Sequence, residues 1–311
     1  MSDLFTDTFL TALIGGGMLA AMPLLFASLG ETISERAGVL NVGLEGFMLF
    51  GAYAAFVVTL NTGSEWLGLG AGMVAGAITS VLMIVFCVRM NLDQIVIGIA
   101  IILIAEGVTS LLYGASYADS RPRLGEPSVL EIPGLSELPV FGESLFSQHP
   151  IVYIGIALVF VVHWMLRRTS AGLSLRAAGE KPEALDAAGV SVAATRSWGA
   201  LSAGVLGGLG GGYLAVVAAG TFTEFITQGT GFIAIVIAML ARGIAPWTIV
   251  GSLLFGMSLS ISTALQLIGV EISTDYVQML PFITVIVVLV LFARRSYLPA
   301  ALALPYVRGE R

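Results

Sequence analysis

TFLTALIGGGMLAAMPLLFASLG, residues 8–30, carries no charge from end to end. Its length passes the roughly 20 apolar residues that a helix needs to cross a bilayer. Working outward from it, ETISERAG at 31–38 reads as a short polar turn, and further uncharged runs follow at 46–64 and 66–88. Such runs are continuous, whereas a membrane barrel strand would alternate over about 10 residues. Backbone polar groups cannot be left unpaired in hydrocarbon, so each run is a helix.

Composition agrees. Apolar residues make up 57% of 311, charged residues 11%, and the mean hydropathy is +0.96. A soluble domain carries about 25% charged residues and could not cover so much apolar surface. The pI of about 4.9 and the absence of a basic stripe point away from nucleic acid. The lone Cys87 permits no intrachain disulfide and reads as a small buried hydrophobe. Residues 1–10 hold Asp3 and Asp7 but no lysine or arginine, so the positive start of a signal peptide is missing.

Nine spans result, with eight or ten as the alternatives: 8–30, about 40–60, 66–88, about 92–114, 150–166, 197–220, 231–241, 247–268 and 276–293. The expected fold class is an all-α polytopic membrane protein, a single transmembrane domain over 1–311. Residues 115–149, with four prolines, form an extracytoplasmic loop. The longest connection on the other side is 167–196, helix formers flanking a Gly-Glu-Lys-Pro break. The run at 231–241 spans only about 16 Å as a helix; it is either re-entrant or a broken crossing extended into 225–230. The tail from 294 to 311 is basic and ragged.

Basic residues near span ends favour the cytoplasm. With the N-terminus outside and the C-terminus inside, Arg36, Arg89, Arg167, Arg168, Arg176, Lys181, Arg196, Arg242, Arg294, Arg295, Arg308 and Arg311 all fall inside. Only Arg121 and Arg123 fall outside.

Gly204, Gly208 and Gly212 recur every four residues, Gly207 and Gly211 form a second register, and Gly72 with Gly76 repeats the spacing. Small residues so placed let helices approach closely in lipid, as fixed packing or as a moving seam. Ionisable residues inside spans are functional candidates. Glu106 is the deepest, facing either a polar cavity or a neighbouring helix. Asn41 and Glu45, four apart on one helix face, staple the second span to the ETISER turn or line the transport path. Catalytic sets are absent: His149 and His163 lie far apart, and no HExxH, cysteine cluster or acid–histidine pair at one depth is seen. Without such a set the chain is expected not to be an enzyme, and without a phosphate-binding loop it is expected to have no ATP site of its own. In the 167–196 segment, Leu175, Ala178, Leu185 and Val190 offer an apolar docking stripe, with Arg176, Glu180, Lys181 and Asp186 at its rim. Gly179 sets the turn between its halves.

Three stretches resemble the membrane permease subunits of bacterial ATP-binding-cassette importers, in the family of branched-chain amino acid and simple-sugar permeases. In ERAGVLNVGLEGFMLFGAYAAF, 35–56, the family pattern falls on Glu35, Arg36, Gly38, Asn41, Gly43, Leu44, Glu45 and Gly46. In TSAGLSLRAAGEKPEALDAAG, 169–189, it falls on Thr169, Gly172, Leu175, Arg176, Ala177, Gly179, Glu180, Pro182, Ala187, Ala188 and Gly189. A third match is GTGFIAIVIAML, 229–240, which contains Phe232, followed by Pro246. Ala241 stands where the family usually has glycine, and Trp247 and Thr248 follow the proline where a further glycine is usual. The likeness covers about residues 20–295 and is greatest to the nucleoside-type subgroup, often described as simple-sugar transport.

The resemblance implies the permease fold of the ribose and branched-chain amino acid importers, in the bacterial inner membrane. It implies uptake of a nucleoside or simple sugar, two cytoplasmic ATPase subunits that carry ATP and Mg, and an external binding protein. It also implies a second permease, as a heterodimer or a homodimer, and no cofactor on this chain. Segment 169–189 would be the coupling helix, through Leu175, Arg176, Gly179, Glu180, Pro182, Ala187, Ala188 and Gly189. Asn41, Glu45, Glu106 and Phe232 are the candidates for the translocation path. A secondary transporter or facilitator is the alternative, a membrane scaffold the next.

Overall fold

The structure, a computed structural model, describes residues 7–117, 120–136, 138, 140–267, 279, 283–287, 290 and 298–307. Its helices are α1 Asp7–Arg36, α2 Leu44–Thr62, α3 Glu65–Met83, α4 Gln94–Tyr117, α5 Phe141–Phe146 and α6 Pro150–Arg168. Then follow α7 Ser170–Glu180, α8 Pro182–Ala187, α9 Val192–Tyr213, α10 Thr230–Ala241 and α11 Pro246–Leu267. The ends of α3 and α9 widen into π-helical turns, Ile84–Arg89 and Leu214–Ala218. A two-residue antiparallel pair, β1 Leu130–Glu131 with β2 Ser147–Gln148, is the sheet seen among the described residues.

Among the described residues six helices are long and apolar enough to cross a membrane, fewer than the nine spans expected, and Thr230–Ala241 and Pro246–Ile261 are shorter apolar helices. The chain is a multi-pass membrane protein. The ninth expected span, 276–293, lies mostly outside the described residues.

ETISER is not a turn. Helix α1 continues through it to Arg36, 30 residues in all. At 1.5 Å per residue that is about 45 Å, well past the hydrocarbon thickness. Several of its polar side chains are spent locally: Thr32 Oγ1 donates to Ser28 O, Ser34 Oγ to Val39 O, and Glu31 Oε1 accepts the Asn41 N–H at 2.9 Å, while Glu31 Oε2 and Glu35 Oε1 are buried with no hydrogen-bond partner among the described residues. The turn begins only at Ala37–Gly38, where Gly38 takes φ +87°. Asn41 therefore precedes α2 and shares no helix with Glu45.

Helix α9 is the most buried span and packs on α1, α2 and α3. Each neighbour meets a glycine. A Cβ on Gly204 would lie 2.6 Å from Gly76 O, and one on Gly208 2.9 Å from Gly76 Cα, both on α3. On α2, a Gly211 Cβ would meet the Met48 backbone and a Gly207 Cβ would lie 2.9 Å from Leu44 Cδ1. On α1, a Gly210 Cβ would lie 2.7 Å from Pro23 O. Gly212 faces the Ala55 methyl of α2 at 3.1 Å, a looser contact than the other two of its register. On the periphery, α4 turns Ile101, Ala105 and Thr109 inward and leaves Val96, Ile99, Leu103 and Leu111 exposed, as a lipid-facing helix does.

Gly208→Val should destabilise the bundle by at least about 1–3 kcal/mol, because a larger side chain meets backbone that cannot rotate away. Gly70, also on α3, has nothing within 4 Å of an added Cβ. Gly70→Ala should be neutral or gain up to about 1 kcal/mol from helix propensity. Folded yield and thermal midpoint in detergent check both; equal behaviour of the two variants contradicts the backbone-contact reading.

Candidate functional site

The 167–196 connection folds into a helical hairpin. Thr169 caps α7, its Oγ1 accepting Gly172 N–H at 3.1 Å while donating to Met165 O at 2.7 Å. A Cβ on Gly172 would strike the Leu166 backbone, 2.6 Å from its Cα, so this tight turn out of α6 requires glycine. Pro182 ends α7 and begins α8: it forces Lys181 out of helical geometry, to φ −146° and ψ 77°, and itself sits at the first position of the new helix. Gly189, at φ +81°, closes α8, and Ser191 Oγ caps α9 by accepting Ala194 N–H.

Two expectations for this segment need correction. The break falls at Lys181–Pro182, and Gly179 is helical. Its lack of a side chain serves a close approach, since a Cβ would lie 2.5 Å from Arg36 O and 3.1 Å from Gly38 N. The apolar stripe is also not free to dock. Leu175, Ala178 and Leu185 are buried within the chain, Leu175 in the core and the other two against Val192. Two short amphipathic helices lying on a bundle turn their apolar side to it. The outward face is instead Ala171, Leu173, Lys181, Glu183, Ala184 and 187–190. Arg176 is half-buried, its Nε donating to Gly172 O at 3.4 Å along its own helix. Pro182 is buried.

The hairpin is fixed to the end of α1. Arg36 Nη1 lies 3.5 Å from Glu180 Oε1, and Arg36 Nη2 donates to Arg242 O at 2.5 Å. One guanidinium thus joins α1, α7 and the end of α10. The turn after α10 uses left-handed residues Arg242, φ 52°, and Gly243, φ 66°, in place of a glycine at 241. A Cβ on Gly243 would collide with the Arg36 guanidinium. Leu40 N–H donates to Gln94 Oε1 at 2.8 Å, bringing the start of α4 to this same end.

Helix α10 starts inside the bundle. Its 12 residues make about 18 Å, little more than half of the hydrocarbon thickness. The N-terminus is held by Glu45, whose Oε1 accepts Gly229 N–H at 2.8 Å and whose Oε2 accepts Gly231 N–H at 2.6 Å. A carboxylate suits the positive end of a helix, and both bonds are charge-assisted. The Gly-Thr-Gly start follows: Gly229 has φ +86°, and a Gly231 Cβ would lie 2.6 Å from the Glu45 backbone. Short, interrupted helices with termini at mid-membrane are a feature of transporter sites.

The four path candidates are not gathered in one place. Glu45 is 4% exposed and engaged as described. Asn41 is fully buried, with no hydrogen-bond partner for either amide atom among the described residues. Glu106 is half-buried on α4; Ile101 abuts Gly46, so Glu106 lies more than a turn beyond the level of Glu45. Phe232 is 46% exposed at the start of α10. None of the four lines either of two described cavities. One, of about 350 Å³, lies among Asp186, Val190, Val192 and Tyr306, and the other, of about 220 Å³, among Thr59, Glu65, Arg123 and Glu126.

At the far end of the bundle the fold makes an acid–histidine pair that the sequence reading had excluded. His149 Nε2 lies 2.8 Å from Glu65 Oε2, because the end of the 115–149 loop returns onto the start of α3. His149 Nδ1 accepts Ile151 N–H, so Nε2 is the donor. Ser128 donates to Glu65, by N–H at 2.9 Å and Oγ at 2.8 Å, and the histidine takes no part in that bond. A nucleophilic serine would be bonded to the histidine, so this group is a latch on the loop. No cluster of three or more metal-ligating side chains occurs among the described residues.

Glu45→Ala should leave Gly229 and Gly231 N–H unpaired, at about 1–3 kcal/mol each. The expected result is a lower thermal midpoint and lost uptake, with Glu45→Gln intermediate since it keeps one acceptor. Wild-type stability of Glu45→Ala in the same detergent contradicts the capping role.

Comparison with known proteins fits this geometry. Residues 13–289 match the family described as branched-chain amino acid transport system / permease component. A guanosine ABC transporter permease protein of Bacillus subtilis is 36% identical over 97% of this chain and 98% of its own length. A nucleoside ABC transporter permease protein of Lactococcus lactis is 31% identical over 97% and 98%. A putative glucose ABC transporter permease protein of Haloferax volcanii is 34% identical over 80% and 76%. No solved structure matches the chain. Matched over nearly its whole length, this bundle of membrane-crossing helices belongs to the branched-chain amino acid transport system / permease component family, as an ABC-transporter permease subunit.

Proposed function

We propose that this chain forms the path for uptake of a nucleoside across the bacterial cytoplasmic membrane, driven by cytoplasmic ATPase subunits that dock on α7–α8. ATP and Mg reside on those subunits. A second permease and an external binding protein complete the transporter. Two relatives matched over 98% of their own length are named for guanosine and nucleoside, which favours a nucleoside over a simple sugar; the two glucose-named relatives are matched over less of both chains.

The observation that carries the reading is the hairpin itself. Its inner face is fixed to α1 by Arg36 and Glu180, and its outer face is exposed. A packed element with one free face passes a partner's displacement into the bundle as a rigid body. The same end gathers Arg36, Arg196 and Arg242, which supports a cytoplasmic assignment for it and an outer position for Glu65 and His149. A facilitator or secondary transporter would need no ATPase partner, and its transport would survive loss of the hairpin contact.

The test is the transporter reconstituted in vesicles with its ATPase and binding protein. Labelled guanosine should enter only with ATP, and labelled glucose should not. Glu180→Arg should lower ATP-dependent uptake severalfold, and Arg36→Glu combined with Glu180→Arg should restore part of it. Guanosine uptake that is indifferent to ATP, or to Glu180→Arg, contradicts the proposal.

A further inference from the structure

Residues 298–307 lie as a strap across the hairpin, held by their backbone. Ala301 N–H donates to Gly179 O at 2.8 Å, at the last turn of α7, and Ala303 N–H donates to Gly38 O at 3.2 Å, in the turn after α1. Tyr306 packs on the cluster of Ala178, Leu185 and Val192. The expectation of a ragged tail is overturned for these residues.

Arg196, in the second turn of α9, is the pin. It is 4% exposed. Its Nη1 donates to Leu304 O at 2.7 Å, and its Nη2 points to Ala301 O at 3.3 Å and Ala178 O at 3.5 Å. Two of these three acceptors belong to the strap. A buried guanidinium without its acceptors is costly, so the arginine and the strap hold each other in place. The contacts therefore join α9, the end of α7 and the α1–α2 turn at one point.

We propose that Arg196 is a positioning residue for coupling: it locks the strap over the end of α7 and ties both to the foot of α9, so that hairpin, strap and central helix move as one body. This rests on the reading that α7–α8 meets the ATPase. It adds that the displacement reaches α9 through this pin, beside the route through Arg36 into α1. Lysine keeps the charge and reaches one strap carbonyl, so Arg196→Lys should retain much of the effect. Glutamine removes the charge and most of the donors.

The experiment uses the complete transporter in lipid nanodiscs, with Cys87 replaced by alanine and spin labels at V190C and L304C. Double electron–electron resonance should give one narrow distance distribution with Arg196, a broad one for Arg196→Gln, and a nearly narrow one for Arg196→Lys. In vesicles, guanosine imported per ATP hydrolysed should fall severalfold for Arg196→Gln and recover for Arg196→Lys. If Arg196→Gln does not assemble, Ala301→Pro decides in its place: it deletes the donor to Gly179 O and leaves the arginine intact, and it should broaden the distances and lower the ratio likewise. A distribution that stays narrow overturns the pin. A broad distribution with an unchanged ratio overturns its part in coupling. Should the unaltered chain fail to co-purify with the ATPase, the docking reading fails, while the spin-label distances still report on the pin.

Discussion

Helix α9 reaches α1, α2 and α3 at backbone contact, and glycine is what permits it. In lipid no hydrophobic force drives helices together, so close packing and small residues must do that work. Gly207 and Gly211 admit α2, Gly204 and Gly208 admit α3, and Gly210 admits α1. The remaining architecture follows from this central helix. With α9 filled by neighbours on three sides, α4 is left at the periphery, facing lipid along Val96, Leu103 and Leu111. At the foot of α9, Arg196 meets the hairpin and the strap.

Buried charge is the second organising feature, and it is used at helix ends. Glu45 holds the start of α10 within the bundle, and Arg36 joins the ends of α1, α7 and α10. Each group links elements far apart in sequence, 184 residues in the case of Glu45 and Gly229. The two ends of the bundle then differ in kind. One is an arginine-centred junction beneath the hairpin, and the other a Glu65–His149–Ser128 latch over the loop.

Much of this was legible in the sequence. Charge gaps outlined the six long apolar helices among the described residues, though not all nine expected spans, the four-residue glycine spacing marked a packing face of α9, and the Gly-Glu-Lys-Pro break located the hairpin. The shortness of α10 was also visible from its apolar run. What stayed hidden has physical reasons. ETISER looked like a turn because its charges are opposed to lipid, yet α1 is long enough to carry them beyond the hydrocarbon and bury them against other helices. The hairpin's apolar stripe looked like a docking face because composition does not say which body a stripe faces. The strap left no signal, since its hydrogen bonds come from backbone atoms that any residue supplies. The Glu65–His149 pair joins positions 84 apart and needs the loop's return to exist.

The proposed coupling requires the outer face of α8 to meet an ATPase, and in-cell photo-crosslinking reads that contact directly. A photoreactive residue at Ala188, exposed at the end of α8, is compared with one at Leu111, exposed on α4. A covalent adduct with the ATPase subunit is expected from position 188 and none from position 111. An ATPase adduct absent at 188, with the complete transporter present in the same membranes, would contradict the proposed coupling.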